Sequence, residues 1–296
     1  MKLSRFNTSA KGFCTCPPKY SLNTYLGRCG HNCIYCYATK FPTFNGPSKP
    51  RTELIESIDR MAQDTKPKLP VMISDCTDPY QPLEREHQIT RKCVQSLAEH
   101  GFPLLIVTKS DLVTRDVDLF QRTLTVVSIT VTTPDEAVAK QIEPNAPTPE
   151  KRISALQKIL ASGIHAHVRI DPIIPHVNDS SEHFETLVSS VAAIGVKQVT
   201  TSTLKPVRGF FTRINRVLPE KREKLVKAYE DARWITGYKY LTTEKRLAII
   251  SRLRPIVLKY GLQFATCRED IPKYNTAICD GTAYCRDSTL TQYVKH

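Results

Sequence analysis

Runs of β-branched and other apolar residues alternate along the chain with longer amphipathic stretches. The runs predict buried strands, because Val, Ile and Thr suit a pleated sheet, and they occupy residues 71–75, 104–109, 125–132, 165–171, 197–204 and 262–267. The amphipathic stretches have apolar residues at helical spacing and predict helices at 84–100, 116–121, 148–162, 180–193, 219–234 and 242–260. This alternation predicts an α/β fold, in which helices cover a parallel sheet or barrel.

The predicted helices have matching start and stop signals. Thr148 precedes Pro149, a pair that favours a helix N-cap followed by proline in the first turn. Glycines that favour helix ends lie at Gly101, Gly163, Gly195 and Gly261. We find no short-period repeat, low-complexity tract or linker that would require a second domain.

The composition is that of a folded protein with a full hydrophobic core. Of 296 residues, 41% are hydrophobic and 24% are charged, and the mean hydropathy is −0.30. No run approaches the roughly 18 consecutive apolar residues of a membrane-spanning helix, and the first residues lack the apolar stretch of a signal peptide. We therefore expect a cytoplasmic protein with no membrane partner.

The net charge of +13 is concentrated in two parts of the chain, residues 1–52 with +8 and residues 205–259 with +10. We call residues 205–259 the basic segment. Its aromatic residues are Phe210, Phe211, Tyr229, Trp234, Tyr238 and Tyr240. Basic residues that alternate with aromatic ones suit phosphate contact and base stacking. The alternative is a solvated helical face whose aromatic residues pack inward and whose charges, Arg213, Arg216, Lys221 and Arg222 among them, are exposed.

Three cysteines, Cys29, Cys33 and Cys36, lie on one short segment in a C-x3-C-x2-C spacing and form what we call the cysteine triplet. Ten cysteines in a chain of this length, with no secretory signal, favour metal or redox chemistry over disulfides. A structural zinc site needs a fourth ligand from elsewhere in the chain. Three thiolates suffice for a [4Fe-4S] cluster that keeps one iron open.

The triplet, with Tyr35 directly before its last cysteine, resembles the cluster loop of the radical S-adenosylmethionine (SAM) superfamily, in which the open iron binds SAM. Further segments are similar to the spore photoproduct lyase-like branch: LNTYLG, SDCTDPYQPLERE, TKSDLVTRD, VSIT, EPNAPTPEKRISAL and RIDPIIPHVND. The resemblance implies a partial (β/α)6 barrel, open on one side, with its ligands at the carboxyl ends of the strands. It divides the chain into an N-terminal basic segment (1–20), a radical SAM core (21–205), and barrel completion with a basic, cysteine-containing C-terminal extension (206–296).

The resemblance also implies roles at matching positions. The triplet would bind the irons, and Tyr35 would pack near the SAM adenine. Lys109, at the end of LLIVT, would reach the SAM carboxylate, and Ser128, in VSIT, would lie near SAM. The alternatives are core packing for Tyr35, a solvated strand end for Lys109 and a buried hydrogen bond for Ser128.

Cys76 and Thr77 lie in DCTD, similar to the C-T-S-D of photoproduct lyases, whose cysteine donates a hydrogen atom to the product radical. We expect Cys76 to act as this donor and Thr77 to contact the cofactor. The alternative for Cys76 is an inert buried thiol.

Arg169 and Asp171 end a strand at the same end of the barrel. They would either hold SAM or substrate or pair with each other.

Cys267, Cys279 and Cys285 lie near the C-terminus, at a spacing that fits no zinc pattern known to us. Clustered soft ligands at the end of the last strand suggest a second iron-sulfur cluster or a zinc site, with Cys14 or Cys16 as fourth ligand. Free thiols are the alternative.

The cofactors implied are a [4Fe-4S] cluster and SAM, with a reductase, ferredoxin or flavodoxin as electron donor. Reductive cleavage of SAM would yield a 5′-deoxyadenosyl radical that abstracts hydrogen from the substrate. The charge and the resemblance favour DNA or RNA as substrate. A peptide or protein substrate, with an auxiliary cluster, and a small metabolite are alternatives. A further alternative is a non-catalytic protein that contains a metal and binds nucleic acid.

Overall fold

A computed structural model describes residues 2–6 and 13–282. The strands are β1 (Ser4–Arg5), β2 (Tyr20–Leu22), β3 (Tyr25–Leu26), β4 (Lys49–Pro50), β5 (Val71–Ile73), β6 (Leu104–Thr108), β7 (Thr125–Thr130), β8 (His165–Ile173), β9 (Gln198–Thr203), β10 (Arg233–Ile235), β11 (Tyr238–Tyr240) and β12 (Gln263–Thr266). The α-helices are α1 (Glu53–Asp64), α2 (Glu84–His87), α3 (Ile89–Glu99), α4 (Val117–Phe120), α5 (Glu136–Ile142), α6 (Pro149–Ala161), α7 (Ser181–Ala193), α8 (Phe210–Val217), α9 (Pro219–Ala228) and α10 (Thr243–Lys259). Short 3-10 helices lie at Tyr37–Lys40, Pro42–Phe44, Asp111–Asp116 and Pro272–Tyr274.

Eight strands form the main sheet, in the order β1-β2-β5-β6-β7-β8-β9-β12. All neighbouring pairs from β2 to β12 are parallel, and β1 runs antiparallel to β2. Among the described strands, β1 and β12 lie at opposite edges and do not pair with each other, so the barrel is open on one side. The predicted α/β class and the partial parallel barrel are confirmed.

Side chains alternate between the two faces of the central strands. Val127 and Ile129 of β7 point to the covering helices and belong to the main hydrophobic core. Ser128 and Thr130, which alternate with them along the strand, point to the inside of the barrel, where they line a cavity. Because both faces are buried, β7 and β9 contain no exposed residue, as expected for parallel strands covered by helices.

A second hydrophobic cluster joins the basic segment to the cysteine triplet. Phe210 and Ile214 of α8 pack with Leu225 of α9 against Ile34 and Tyr35. The helices α8 and α9 of the basic segment are therefore packed against the loop that carries the triplet.

The predicted helix at 219–234 is wrong in its last part. Helix α9 ends at Ala228, and Trp234 lies instead in β10, which pairs with β11 through Ile235 and Tyr238. The two connecting residues, Thr236 and Gly237, have φ angles of 48° and 82°. Positive φ at both central positions defines the tight hairpin turn that matches strand twist, and the turn replaces the last helical residues with a hairpin.

None of the helices within residues 2–6 and 13–282 is long and apolar enough to cross a membrane.

Candidate active site

A cavity of about 670 Å³ opens at the carboxyl ends of the parallel strands. Asp78 follows β5, Lys109 follows β6, and Arg169 lies in β8, and all three line it. Carboxyl strand ends are where such barrels bind ligands. The cavity is also lined by every predicted site residue that the described ranges contain, namely Cys29, Cys33, Tyr35, Cys36, Cys76, Thr77, Lys109, Ser128, Arg169, Cys267 and Cys279. Cys285 lies outside the described residues.

The loop of the triplet is held by backbone and side-chain hydrogen bonds from three directions. The Gly30 N–H donates to Gln81 Oε1 at 2.7 Å, and the Ile34 N–H donates to Ile142 O at 3.0 Å. Arg213 of α8 donates from Nε to Ile34 O at 2.6 Å. A side chain at Gly30 would place its β-carbon 3.0 Å from the Pro82 ring, so glycine permits this approach. Contacts within the protein therefore fix the shape of the loop.

Asp78 connects this loop to the end of β6. Its Oδ2 lies 3.3 Å from His31 Nε2 and accepts the Lys109 N–H at 2.7 Å, while Oδ1 accepts from Thr108 Oγ1 at 2.6 Å. Burial alone would raise the pKa of Asp78, but His31 and these donors outweigh it and lower the pKa to about 2. An ionised Asp78 thus fixes the backbone from which Lys109 enters the cavity.

Glu143 is a second buried carboxylate beside Lys109. Its Oε1 lies 4.0 Å from Lys109 Nζ, and its Oε2 lies 2.6 Å from Arg152 Nη1. The hydroxyls of Tyr35 and Thr132 also donate to Oε1. Burial alone would raise the pKa of Glu143, but Arg152 and then Lys109 lower it. The carboxylate therefore lies between Tyr35 and Lys109, two of the residues expected to contact SAM.

Ser128 and Thr77 are buried, and each has a protein partner for its hydroxyl. Ser128 Oγ lies 3.0 Å from His167 Nε2, and Thr77 Oγ1 donates to Tyr25 O at 3.4 Å. Burial, followed by the charge of Arg169, lowers the pKa of His167 to about 3, so its imidazole is neutral at neutral pH. Both hydroxyls therefore have fixed positions in the cavity wall.

Arg169 pairs with Asp171, as the sequence allowed. Arg169 Nη2 lies 2.5 Å from Asp171 Oδ2, and Ser202 Oγ donates to Asp171 Oδ1 at 2.5 Å. All three residues line the cavity, so the ion pair and a contact with a bound ligand are compatible.

Cys76 lies half-buried in the connection after β5. Asn23 braces this connection, because its Oδ1 accepts the Cys76 N–H at 3.1 Å and its Nδ2 donates to Asp75 Oδ1 at 2.7 Å. Tyr37, directly after the triplet, donates its hydroxyl to Asp75 O, and its ring centroid lies 6.4 Å from that of Tyr238. Burial and then Asp75 raise the pKa of Cys76, so its thiol stays protonated at neutral pH.

The chemistry of the donors fits the implied cluster. The triplet consists of free, half-buried thiols on one loop, open to the cavity, and thiolates are the ligands that iron-sulfur clusters take. No three His, Cys, Asp or Glu side chains in the described ranges are arranged to hold a single metal ion. Cys14 and Cys16 line the same cavity beside Cys267 and Cys279.

Sequence reasoning missed three residues that position the site. Asp78 and Glu143 stand within the motifs DCTD and EPN, but a sequence does not show which cations face a carboxylate. Arg213 was expected to be exposed with its neighbours and is instead half-buried against the triplet loop. Lys221 is also half-buried. The spacing of Arg213 from the apolar Phe210 and Ile214 on α8 is the available signal that it faces inward.

Fold and site together define a barrel with a cysteine cluster loop at its mouth, and comparison with known proteins identifies its family. The family model of the radical SAM superfamily matches residues 24–188, more than half of the chain. The chain belongs to the radical SAM superfamily and is a radical SAM enzyme.

Individual relatives agree with this family. An uncharacterized protein of Mycobacterium tuberculosis is 29% identical over 264 residues, which cover 83% of this chain and 76% of the relative. The radical SAM Nalpha-GlyT isomerase of Pseudomonas phage M6 is 20% identical over 260 residues, covering 83% of this chain and 52% of the relative. A spore photoproduct lyase mutant, solved with bound AdoMet and dinucleoside spore photoproduct, has a TM-score of 0.66 at 16% identity, covering 88% of this chain and 79% of that structure. At this identity the structural likeness concerns the fold.

Proposed function

We propose that this enzyme abstracts a hydrogen atom from a nucleotide of DNA or RNA that enters the cavity. The observation that carries the proposal is the hairpin β10–β11. Trp234, on its first strand, is 53% exposed, whereas Thr236 and Tyr238, in the turn and on the second strand, line the cavity. Trp234 pairs with Lys239, so its side chain lies on the face of the hairpin opposite to Tyr238. An exposed indole on the outer face of a hairpin whose inner face lines a cavity is a stacking platform for a base. Lys40 holds the hairpin there, with its Nζ 3.7 Å from the Tyr238 ring centroid.

The basic segment offers phosphate contacts next to this hairpin. Arg222, Lys224 and Lys227 are exposed on α9, and Arg233 is exposed beside Trp234. Exposed guanidinium and ammonium groups attract the phosphate backbone, and the indole adds contact with a base. The remaining large aromatic residues of the segment, such as Phe210, pack inward, so Trp234 is the residue that fits stacking.

The triplet would hold a [4Fe-4S] cluster, and Tyr35, Lys109 and Arg169 would hold SAM. When bound and reduced by a reductase, ferredoxin or flavodoxin, the cluster supplies the electron that cleaves SAM to methionine and a 5′-deoxyadenosyl radical. Glu143 and Asp78 keep Lys109 aimed into the cavity. The protein walls exclude water and keep the reacting C–H bond within reach.

Cys76 is suited to return a hydrogen atom to the substrate radical. It lines the same cavity as the triplet, and its protonated thiol has the S–H bond that such a step requires. In this step the S–H bond breaks, a substrate C–H bond forms, and a thiyl radical remains on Cys76. We assign this step to Cys76 because of its position. Among the residues of the β5–α2 connection that line the cavity, Cys76 is the only cysteine.

One structural relative supports a nucleic-acid substrate. The spore photoproduct lyase structure holds a dinucleoside spore photoproduct in the same fold. That finding concerns the lyase, and it makes a nucleotide a reasonable substrate to test for this enzyme.

Transfer of deuterium tests the proposal without knowledge of the individual nucleotide. DNA, ultraviolet-irradiated DNA and RNA from cells grown in heavy water retain C–D bonds after exchangeable deuterons are washed out. Incubated anaerobically with the reduced enzyme and ordinary SAM, at least one of the three should place deuterium in 5′-deoxyadenosine or in recovered SAM, as seen by mass spectrometry.

Peptides digested from the same deuterated cells are the matched control. Deuterium taken from peptides, with none from any nucleic acid, would replace the proposal with a peptide substrate. Transfer from none of the four preparations, while SAM is still cleaved, would likewise contradict a nucleic-acid substrate.

A further inference from the structure

We propose that Cys14, Cys16, Cys267 and Cys279, here called the terminal thiols, bind a thiophilic metal centre that connects the two ends of the chain. Cys14 and Cys16 precede β2, whereas Cys267 follows β12 directly. Strands β2 and β12 are the first and last parallel strands of the open sheet. The centre would join the two sides of the barrel that the strand hydrogen bonds leave unconnected.

The four thiols line one cavity. Cys16 Sγ lies 3.5 Å from Cys279 Sγ, and Cys14 is two residues from Cys16 in the chain. None of the four is in a disulfide, and 3.5 Å is well beyond the length of about 2.05 Å that a disulfide requires. Four soft donors from three separate segments therefore meet at one place.

The backbone around these thiols is fixed by the central strands. The Cys267 N–H donates to Thr201 O at 2.9 Å, and Thr200 Oγ1 donates to Cys279 O at 2.9 Å. Gln198 Nε2 donates to Ile278 O at 2.9 Å. The C-terminal pair of thiols is thus anchored to β9, the strand beside β12, before any metal binds.

A buried ion pair fixes the N-terminal pair of thiols in the same way. Lys19 Nζ lies 2.9 Å from Asp280 Oδ2, and both side chains are almost completely buried. A buried ion pair between residues 261 positions apart is costly unless the surrounding structure holds it in place, and a metal centre next to it would do so.

Four thiolates suit two centres with the same ligand chemistry, an iron-sulfur cluster or a tetrahedral zinc ion. In a zinc site with Zn–S bonds of about 2.3 Å, neighbouring sulfurs lie about 3.8 Å apart, and the sulfurs of a cluster lie further apart because they bind different irons. As they stand, the described side chains are not arranged around a single metal ion, so the thiols would have to turn towards either centre. Either centre would face the cavity, because all four thiols line it.

Metal analysis of the full chain tests this site separately from the triplet. The protein is purified anaerobically and compared in four forms: the wild type, a Cys29→Ala/Cys33→Ala/Cys36→Ala variant, a Cys16→Ala/Cys279→Ala variant, and Cys93→Ala as control. Cys93 is a buried thiol of α3 outside both groups. Iron, zinc and acid-labile sulfide are counted per folded chain.

The triplet variant should keep one metal centre, and the Cys16/Cys279 variant should lose it. About four irons with about four sulfides identify a cluster. One zinc without sulfide identifies a mononuclear site. Cys93→Ala should match the wild type. Because the triplet variant cannot cleave SAM, metal retained in it does not depend on the proposed function.

A triplet variant that holds neither metal would overturn the proposal, and so would thiol counting that finds Cys16 and Cys279 oxidised together. If the Cys16/Cys279 variant fails to fold, cobalt added to the chelator-treated triplet variant decides the question. A thiolate-to-cobalt charge-transfer band supports the site, and its absence refutes it.

Discussion

Two carboxylates hold side chains that line the cavity. Asp78 faces His31, and Glu143 faces Lys109 and Arg152, so each negative charge has a cation or donors within reach. Buried charges are tolerated only when they are paired in this way. The pairs connect segments that are distant in sequence, which is why the motifs alone did not identify them.

Because Asp78 is paired with His31, the stability of the protein at acidic pH depends on whether the Asp78 carboxylate is ionised. Its pKa is lowered to about 2 from a usual value near 4, so the stabilisation is complete above about pH 4 and is lost as the pH falls towards 2. Asp78→Asn should cost about 2 kcal/mol of unfolding free energy near neutral pH, and the cost should shrink below pH 4. Urea unfolding at several pH values measures this.

The exposed Asp270 provides the control for this substitution. Asp270→Asn should leave both the unfolding free energy and its pH dependence close to those of the wild type. An Asp78→Asn protein whose loss of stability is the same at pH 2.5 and pH 7 would show that the carboxylate is not ionised by its neighbours.

Arg213 and Arg216 lie on the same helix and should behave differently. Arg213 donates to Ile34 O within the triplet loop, whereas Arg216 is exposed. Arg213→Glu should remove this bond, place a negative charge beside the loop and lower the iron retained after reconstitution several-fold. Arg216→Glu should retain iron like the wild type. Equal iron content in the two variants would mean that Arg213 does not position the loop.

Among the secondary-structure elements, the strands were the most predictable. Both faces of a central parallel strand are buried, so β6, β7 and β9 appear as apolar or β-branched runs whose limits match the prediction within two residues. Short or irregular elements were not predictable. Strand β2 has only three residues, and the β10–β11 hairpin depends on the φ angles of Thr236 and Gly237.

Helix α9 carries the electrostatic part of the proposed function. Reversal of its exposed residues Arg222, Lys224 and Lys227 to Glu should weaken binding of tRNA or DNA at least ten-fold at low salt and flatten its salt dependence, because fewer counterions are released. Affinities at several salt concentrations, from fluorescence anisotropy, measure both effects. Folding stability should change little, since these side chains are exposed.

A matched variant separates this local effect from net charge. Lys92, Arg122 and Lys158 are exposed on or next to α3, α4 and α6, and their reversal changes the total charge by the same amount. This control should retain most of the affinity. If both variants lose affinity equally, the long-range charge of the protein attracts nucleic acid and α9 is not the binding surface.

At the scale of the whole molecule, the sequence motifs identified which side chains form the site. They identified less of how these side chains are arranged. Every predicted site residue in the described ranges lines one cavity, because the motifs follow strands whose carboxyl ends meet at one edge. The contact between Cys16 and Cys279 was not predictable in the same way. It joins residues 263 positions apart and depends on how far the barrel closes.

The open barrel brings the triplet, the residues expected to hold SAM, and the terminal thiols to a single cavity, and the basic segment reaches its mouth. This arrangement places the segment before β2, the segment after β12 and part of the basic segment around one cavity. It follows that a substrate entering the cavity meets groups from all three parts of the chain.

Production of 5′-deoxyadenosine from SAM tests most directly that this cavity holds the reaction centre. The protein is reconstituted anaerobically, reduced with dithionite and supplied with SAM. The wild type and the Cys93→Ala control should both form 5′-deoxyadenosine, and the Cys29→Ala/Cys33→Ala/Cys36→Ala variant should form none, because only the triplet leaves an iron open to SAM. Continued production by that variant would contradict the assignment of the triplet and, with it, the active site described for this cavity.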